Sequence, residues 1–133
     1  MARKKKEYGF KPFESIGTKG RHLRITLSMM ESKAWKELSC HSITLYIHMK
    51  AKFNYDNEND ISFTYSEGQQ LMNEATFSKS LDQLNDLGFI KVIKGGWTTR
   101  TATIYGFSDQ WKNYGTDKFS VTPRPKRQRK DPK

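Results

Sequence analysis

Residues 61–111 run ISFTYSEGQQLMNEATFSKSLDQLNDLGFIKVIKGGWTTRTATIYGFSDQW. The spacing predicts a short helix over Tyr65–Met72, weakened by Gly68, then a turn at Asn73-Glu74-Ala75 and a longer helix over Thr76–Leu87. In the longer helix Phe77, Leu81, Leu84 and Gly88 share one face, flanked by Ser80 and Leu87. Ala75, Lys79, Asp82, Gln83 and Asp86 share the other. Gly88 stands where a helix end favours a left-handed residue. Phe89–Lys94 and Trp97–Phe107 are rich in Val, Ile, Thr and aromatics, as strands are, and Gly95-Gly96 between them predicts a two-residue hairpin turn. Ile61-Ser62-Phe63 reads as a short strand able to join that hairpin.

From Phe63 to Trp111 the order is therefore helix, tight link, helix, hairpin. This is the order of a winged helix-turn-helix: an α+β fold of three or more helices with a small antiparallel sheet and a two-stranded wing. In such a unit the second helix lies in the DNA major groove and the hairpin is free to touch the flanking backbone.

Upstream, His22–Leu27 alternates polar and apolar residues, the period of a half-buried strand. Ser28 or Ser32 is placed to cap a short helix through Leu38, with Glu31 three after Ser28 as in a capping box. Ser39 starts a longer helix to Phe53 whose inward stripe is expected to be Ile43, Tyr46, Ile47, Lys50 and Phe53. Asn54–Asp60 (NYDNEND) is a polar loop rich in turn formers. Downstream, Ser108 is placed to cap a last turn over Asp109–Tyr114. Residues 1–20 lack periodicity and read as an arm.

Charge is unevenly distributed. Residues 1–12 carry five basic side chains and one acid, and residues 118–133 carry seven basic side chains and one acid. Residues 13–117 carry 12 of each sign, so the two ends supply the whole net charge of +10. Like-charged blocks at chain ends commonly stay solvated and often bind nucleic acid. The expected organisation is a flexible basic arm over 1–20, a domain over 21–117 and a flexible basic tail over 118–133. Each Lys or Arg that neutralises a phosphate adds about one unit to the salt slope of binding.

A helix in a groove reads bases mainly with its N-terminal residues. Here those are Ala75, Thr76, Ser78 and Lys79, with Gln83 one turn on. Lys79 suits guanine O6/N7 or a phosphate, Gln83 suits adenine N6/N7, and Ala or Thr methyls suit the thymine methyl. Asp82 and Asp86 restrict groove entry to the first half of the helix. With a two-residue turn, Lys94 would face Trp97 and Lys91 would face Arg100, a like-charge pair that a phosphate would relieve. Thr98, Thr99 and Thr101 offer hydroxyls to the same backbone. Trp97 is either a core aromatic folded back or a surface aromatic for the minor groove. In the arms, Arg3, Lys4, Lys5, Lys6, Arg124, Lys126, Arg127, Arg129 and Lys130 are the candidate phosphate contacts.

The segments LYIHMKAKFN, ATFSKSLDQLNDLGFIKVI and IYGFSDQWKNYG resemble winged-helix proteins of conjugative elements, plasmids and phages in Gram-positive bacteria. The pattern TFxKxLxxLxxxGFIxV over Thr76–Val92 is the most specific part, and the resemblance spans Leu23 to Tyr114. It implies site-specific double-stranded DNA binding, as a transcriptional regulator or an accessory to replication or conjugative transfer. The recognition helix would be Thr76–Leu87 and the wing Lys91–Arg100. Gly68, Asp82 and Asp86 depart from the pattern.

Other chemistries find little support. A calcium loop starting at Asp56 needs Gly at its sixth position, which is Ile61. Cys40, His41 and His48 lack the paired spacing of zinc sites, and no phosphate-cradling glycine loop occurs. With one Cys and three His, no nucleophile-and-base arrangement emerges. The chain is thus expected to be no enzyme and to take neither cofactor nor metal. At a mean hydropathy of -0.85 it has no apolar run for a bilayer span and no secretory leader, so a cytoplasmic, DNA-associated protein is expected. Two rivals stand beside duplex DNA binding: RNA binding, and docking on a replication or transfer protein with the tails gripping nucleic acid.

Overall fold

The structure is a computed structural model that describes residues 11–14, 22–95 and 103–125. Its architecture is α+β. The helices are α1 (Leu27–Glu31), α2 (Lys33–Lys36), α3 (Cys40–Lys50), α4 (Tyr65–Gln69) and α5 (Glu74–Asp86). The strands are β1 (Ile61–Ser62), β2 (Ile90–Lys94) and β3 (Ile104–Phe107), and a 3-10 turn spans Gln110–Asn113. No helix among the described residues is long and apolar enough to cross a membrane.

Most helix starts are set by local chemistry, a side-chain oxygen satisfying an otherwise unpaired N–H of the first turn. Thr26 caps α1 through Met29 N, Ser32 caps α2 through Trp35 N, and Ser39 caps α3 through Ser42 N. Thr64 and Glu67 form a capping box on α4. Two expectations change here. Thr26, rather than Ser28, caps α1. The 22–26 segment alternates in burial but pairs with no strand among the described residues, so it is extended chain and not a strand.

The stripe of α3 also differs from expectation. Its buried residues are Ser42, Leu45, Tyr46 and Met49. Of the expected stripe Ile43, Tyr46, Ile47, Lys50 and Phe53, Tyr46 alone is fully buried, and Ile47 is 37% exposed. Apolar residues occur on several sides of this helix, so periodicity does not choose its inner face. Packing on α5 chooses it, with the small Ser42 at the contact.

Helix α5 begins at Glu74, two residues earlier than expected, because Asn73 is its cap: Asn73 Oδ1 accepts from Thr76 N at 2.8 Å. The turn therefore precedes Asn73, and Glu74 and Ala75 belong to the helix. Glu74 sits in the first turn, where the positive end of the helix dipole favours an acid. Phe77, Ser80, Leu81, Leu84 and Asn85 are buried. Gly88 ends the helix at φ 86°, in the left-handed region, and Ser108 Oγ accepts from Gln110 N at the start of the 3-10 turn.

The core centres on Phe89. Its ring meets Trp35 at 5.8 Å and Tyr46 at 5.6 Å, both edge-on, and stacks on Trp111 at 6.1 Å. Burying one such side chain stabilises the fold by about 1.5–3 kcal/mol.

The antiparallel sheet has the order β1-β3-β2, so β1 does add to the hairpin, beside β3. The expected two-residue turn is not formed. Lys91 pairs with Gly106 and Lys94 with Ile104, and a bulge falls between Val92 and Lys94. The partners of Lys91 and Lys94 are thus Gly106 and Ile104 instead of the expected Arg100 and Trp97, which lie outside the described residues.

Candidate nucleic-acid interface

The outward side of α5 carries the residues that sequence singled out, and the structure separates them into two groups. Ala75 and Lys79 are exposed and Thr76 is half-buried, all in the first half of the helix. Among the described residues Lys79 makes no ion pair. These three keep side chains available to a ligand.

Gln83 and Ser78 are engaged within the domain. Gln83 Oε1 accepts from Ser39 N at 2.8 Å and from Ser42 Oγ at 2.6 Å, and its Nε2 donates to Glu37 O at 3.1 Å. The amide holds α5 against the start of α3, an engagement that its expected role as a base reader did not include. Ser78 Oγ accepts from Arg124 Nη2 at 2.9 Å, and Ser78 O accepts from the same nitrogen at 3.2 Å.

Arg124 is the largest departure from the expected site. Placed in a flexible tail by its sequence context, it packs on α5 with its side chain 12% exposed. Its Nε donates to Asp82 Oδ1 at 2.9 Å, and the hydroxyls of Tyr65 and Tyr105 also face the guanidinium. Burial alone pulls the Arg124 pKa down, but the hydrogen bond and charge of Asp82, together with Tyr105 and Tyr65, outweigh it and hold it above its ordinary value. Burial pushes the Tyr105 hydroxyl up to about 12. One of the two acids expected to oppose DNA is therefore neutralised from within.

The chain stays against the domain well past residue 117. Phe119 meets Tyr114 edge-on at 5.4 Å, Ser120 N donates to Gln110 Oε1 at 3.0 Å, and Asn85 Nδ2 donates to Thr122 O at 2.8 Å. Pro123 and Pro125 restrict φ at their own positions and disfavour helical backbone at Thr122 and Arg124. Asn85 was missed at the sequence level. Its position on the buried face of α5, where a polar side chain requires a partner, was the available signal.

Lys91 and Lys94 are exposed on β2. Trp97, Thr98, Thr99, Thr101 and Arg100 lie outside the described residues, as do Arg3, Lys4, Lys5, Lys6, Lys126, Arg127, Arg129 and Lys130. Beside the far half of α5, Glu37, Lys79, Asp82, Gln83, Asp86 and Leu87 line a shallow groove of about 520 Å³. Tyr114 donates its hydroxyl to Glu37, and that carboxylate raises the Tyr114 pKa. Among the described residues no group of three His, Cys, Asp or Glu side chains is arranged to hold a metal ion.

No family model matches the chain, and neither a curated protein nor a solved structure is significantly similar to it.

Proposed function

We propose that the chain is a winged-helix protein that binds double-stranded DNA site-specifically, without catalysis. The role is that of a transcriptional regulator or an accessory to replication or conjugative transfer of a mobile element. The observation that carries this reading is the first half of α5. It follows α4 through a short turn and presents Ala75, Thr76 and Lys79 outward, with the β2–β3 hairpin next in the chain. Helix N-terminal residues of this kind meet base edges in the major groove. Lys91 and Lys94 on β2 supply charge for the flanking backbone, and the basic runs at both ends supply most of the salt-sensitive affinity.

The test is fluorescence anisotropy against a pool of duplexes at about 150 mM salt, with duplex RNA and single strands as competitors. The full chain is compared with one spanning residues 11–125, which keeps the Arg124 contacts. Selective retention of some duplexes by the shorter chain, with a flatter salt dependence, is the expected result. Loss of all binding on shortening would overturn the site-specific reading.

One observation favours a second reading. The groove beside the far half of α5 is lined by Glu37 and Asp86 against Lys79, with Asp82 already paired to Arg124. A basic segment of a replication or transfer protein would complement it, and the winged helix would then be a protein-docking module.

A further inference from the structure

Asn85 is an amide held 2% exposed near the end of α5. Its Nδ2 donates to Thr122 O at 2.8 Å and lies 3.4 Å from Asp86 Oδ1. Both neighbours are acceptors, so they fix the nitrogen on their side and leave Oδ1 as the other end of the group. Among the described residues nothing donates to Oδ1. A buried amide oxygen without a donor is unfavourable, and a polar partner in the adjoining space is its remedy. No side-chain oxygen or nitrogen among the described residues is both sealed off and unbonded, so Oδ1 borders open space. The space that Asn85 lines is a cavity of about 320 Å³ between α5, β2 and residues 120–125.

Strand β2 stands at the edge of the sheet. Residues 119–125 make no backbone hydrogen bond to it among the described residues, so no ladder closes the gap between them. Ile90, Val92, Val121 and Pro123 give the cavity apolar walls. Lys91 alone among the described lining residues is charged, and among the described residues it makes no ion pair. The volume lies at the lower end of small-molecule sites, about 300–1,000 Å³, and apolar walls with a few convergent polar groups are their usual lining.

We propose that this cavity binds a small apolar carboxylate that also carries an N–H or O–H donor. The donor satisfies Asn85 Oδ1, the carboxylate pairs with Lys91, and a branched apolar body lies against Ile90, Val92, Val121 and Pro123. The two polar demands are opposite: Lys91 requires a negative acceptor and Asn85 Oδ1 requires a donor. Together they select against a plain fatty acid, which lacks the donor, and against a plain alcohol, which lacks the charge. The site does not depend on the DNA-binding reading.

α-Hydroxyisocaproate is the probe, since it joins a branched apolar chain, a carboxylate and one hydroxyl. Isocaproate lacks the hydroxyl, and α-hydroxyisocaproamide lacks the charge. Each is titrated into the full chain while backbone and Asn side-chain amide resonances are followed by NMR. The hydroxy acid should give saturable shifts at Asn85 Nδ2, Lys91, Val121 and Thr122, and each analogue should bind roughly tenfold more weakly. Lys91→Gln, a change at an exposed position, should erase the advantage of the acid over the amide and keep its advantage over isocaproate. Ser120→Phe, at an exposed position that lines the cavity, should abolish binding of all three. The absence of saturable shifts at these positions up to the solubility of the probe would overturn the proposal. Equal affinity for the three compounds, or selectivity unchanged by Lys91→Gln, would overturn it as well. Binding that survives Ser120→Phe in a folded chain would place the ligand elsewhere and overturn the site.

Discussion

Gly68 of α4 lies against the ring of Phe77 in α5: a Cβ at Gly68 would stand 2.5 Å from Phe77 Cδ1 and 2.7 Å from Cε1 and Cγ. The glycine that weakens α4 in isolation is what allows α4 and α5 to cross so closely. Phe77 has little room to retreat, since its ring also meets Tyr65 at 5.2 Å and Phe63 at 6.0 Å.

Gly68→Ala is therefore expected to destabilise the domain although Ala is the better helix former. Overpacking of this kind costs about 1–3 kcal/mol, and the helix-propensity gain offsets about 1 kcal/mol. Thermal unfolding should show a lower Tm, and adding Phe77→Leu should recover part of it. A Tm equal to or above the parent's would show that the helices separate without cost.

Gln83→Ala should act on stability and not on base preference. It removes an acceptor shared by Ser39 N and Ser42 Oγ and a donor to Glu37 O. The cost is about 1–3 kcal/mol, since one of the groups left behind, Ser42, is fully buried. Urea unfolding measures it, while duplex ranking by the folded protein stays unchanged. A changed preference at one base pair with no loss of stability would return Gln83 to the reading surface.

Lys79→Ala is expected to lower binding to the preferred duplex more than to random duplexes. A bidentate contact to guanine is worth about 1–3 kcal/mol of discrimination. Equal losses on both would reduce Lys79 to a phosphate contact.

Glu67 gives a pH dependence. Burial alone raises its carboxyl pKa, but the Lys52 pairing and the Thr64 hydrogen bonds outweigh this and leave it below the ordinary 4.5. A depressed folded pKa means stability that is full above about pH 4.5 and is lost as the pH falls through the lower folded value. Glu67→Gln keeps the capping geometry, which tolerates Gln, and removes the charge. With Lys52 and Glu67 side chains 34% and 37% exposed, solvent screening limits the pair to about 0.5 kcal/mol. The variant should be less stable by that amount at pH 7 and indistinguishable from the parent once the parent's Glu67 carboxyl is neutral. A deficit that persists in acid would assign the effect to shape and not to charge.

What the sequence determined by itself is what neighbouring residues decide between them. The helix caps at Ser32 and Ser39, the left-handed Gly88, the polar loop over Asn54–Asp60, the buried face of α5 and the segregation of charge to the ends all follow from contacts a few residues apart. The α+β class and the joining of β1 to the hairpin followed from composition and alternation. Tertiary structure decided the rest. Gln83 meets Ser42 across 41 positions and Arg124 meets Asp82 across 42, so nothing local distinguishes these side chains from free surface ones. The inner face of α3 and the β2–β3 register are likewise settled by what packs opposite them. A polar side chain on an exposed helix face reads the same in sequence whether it waits for DNA or holds the domain together. Its partner, brought near only by folding, makes the difference.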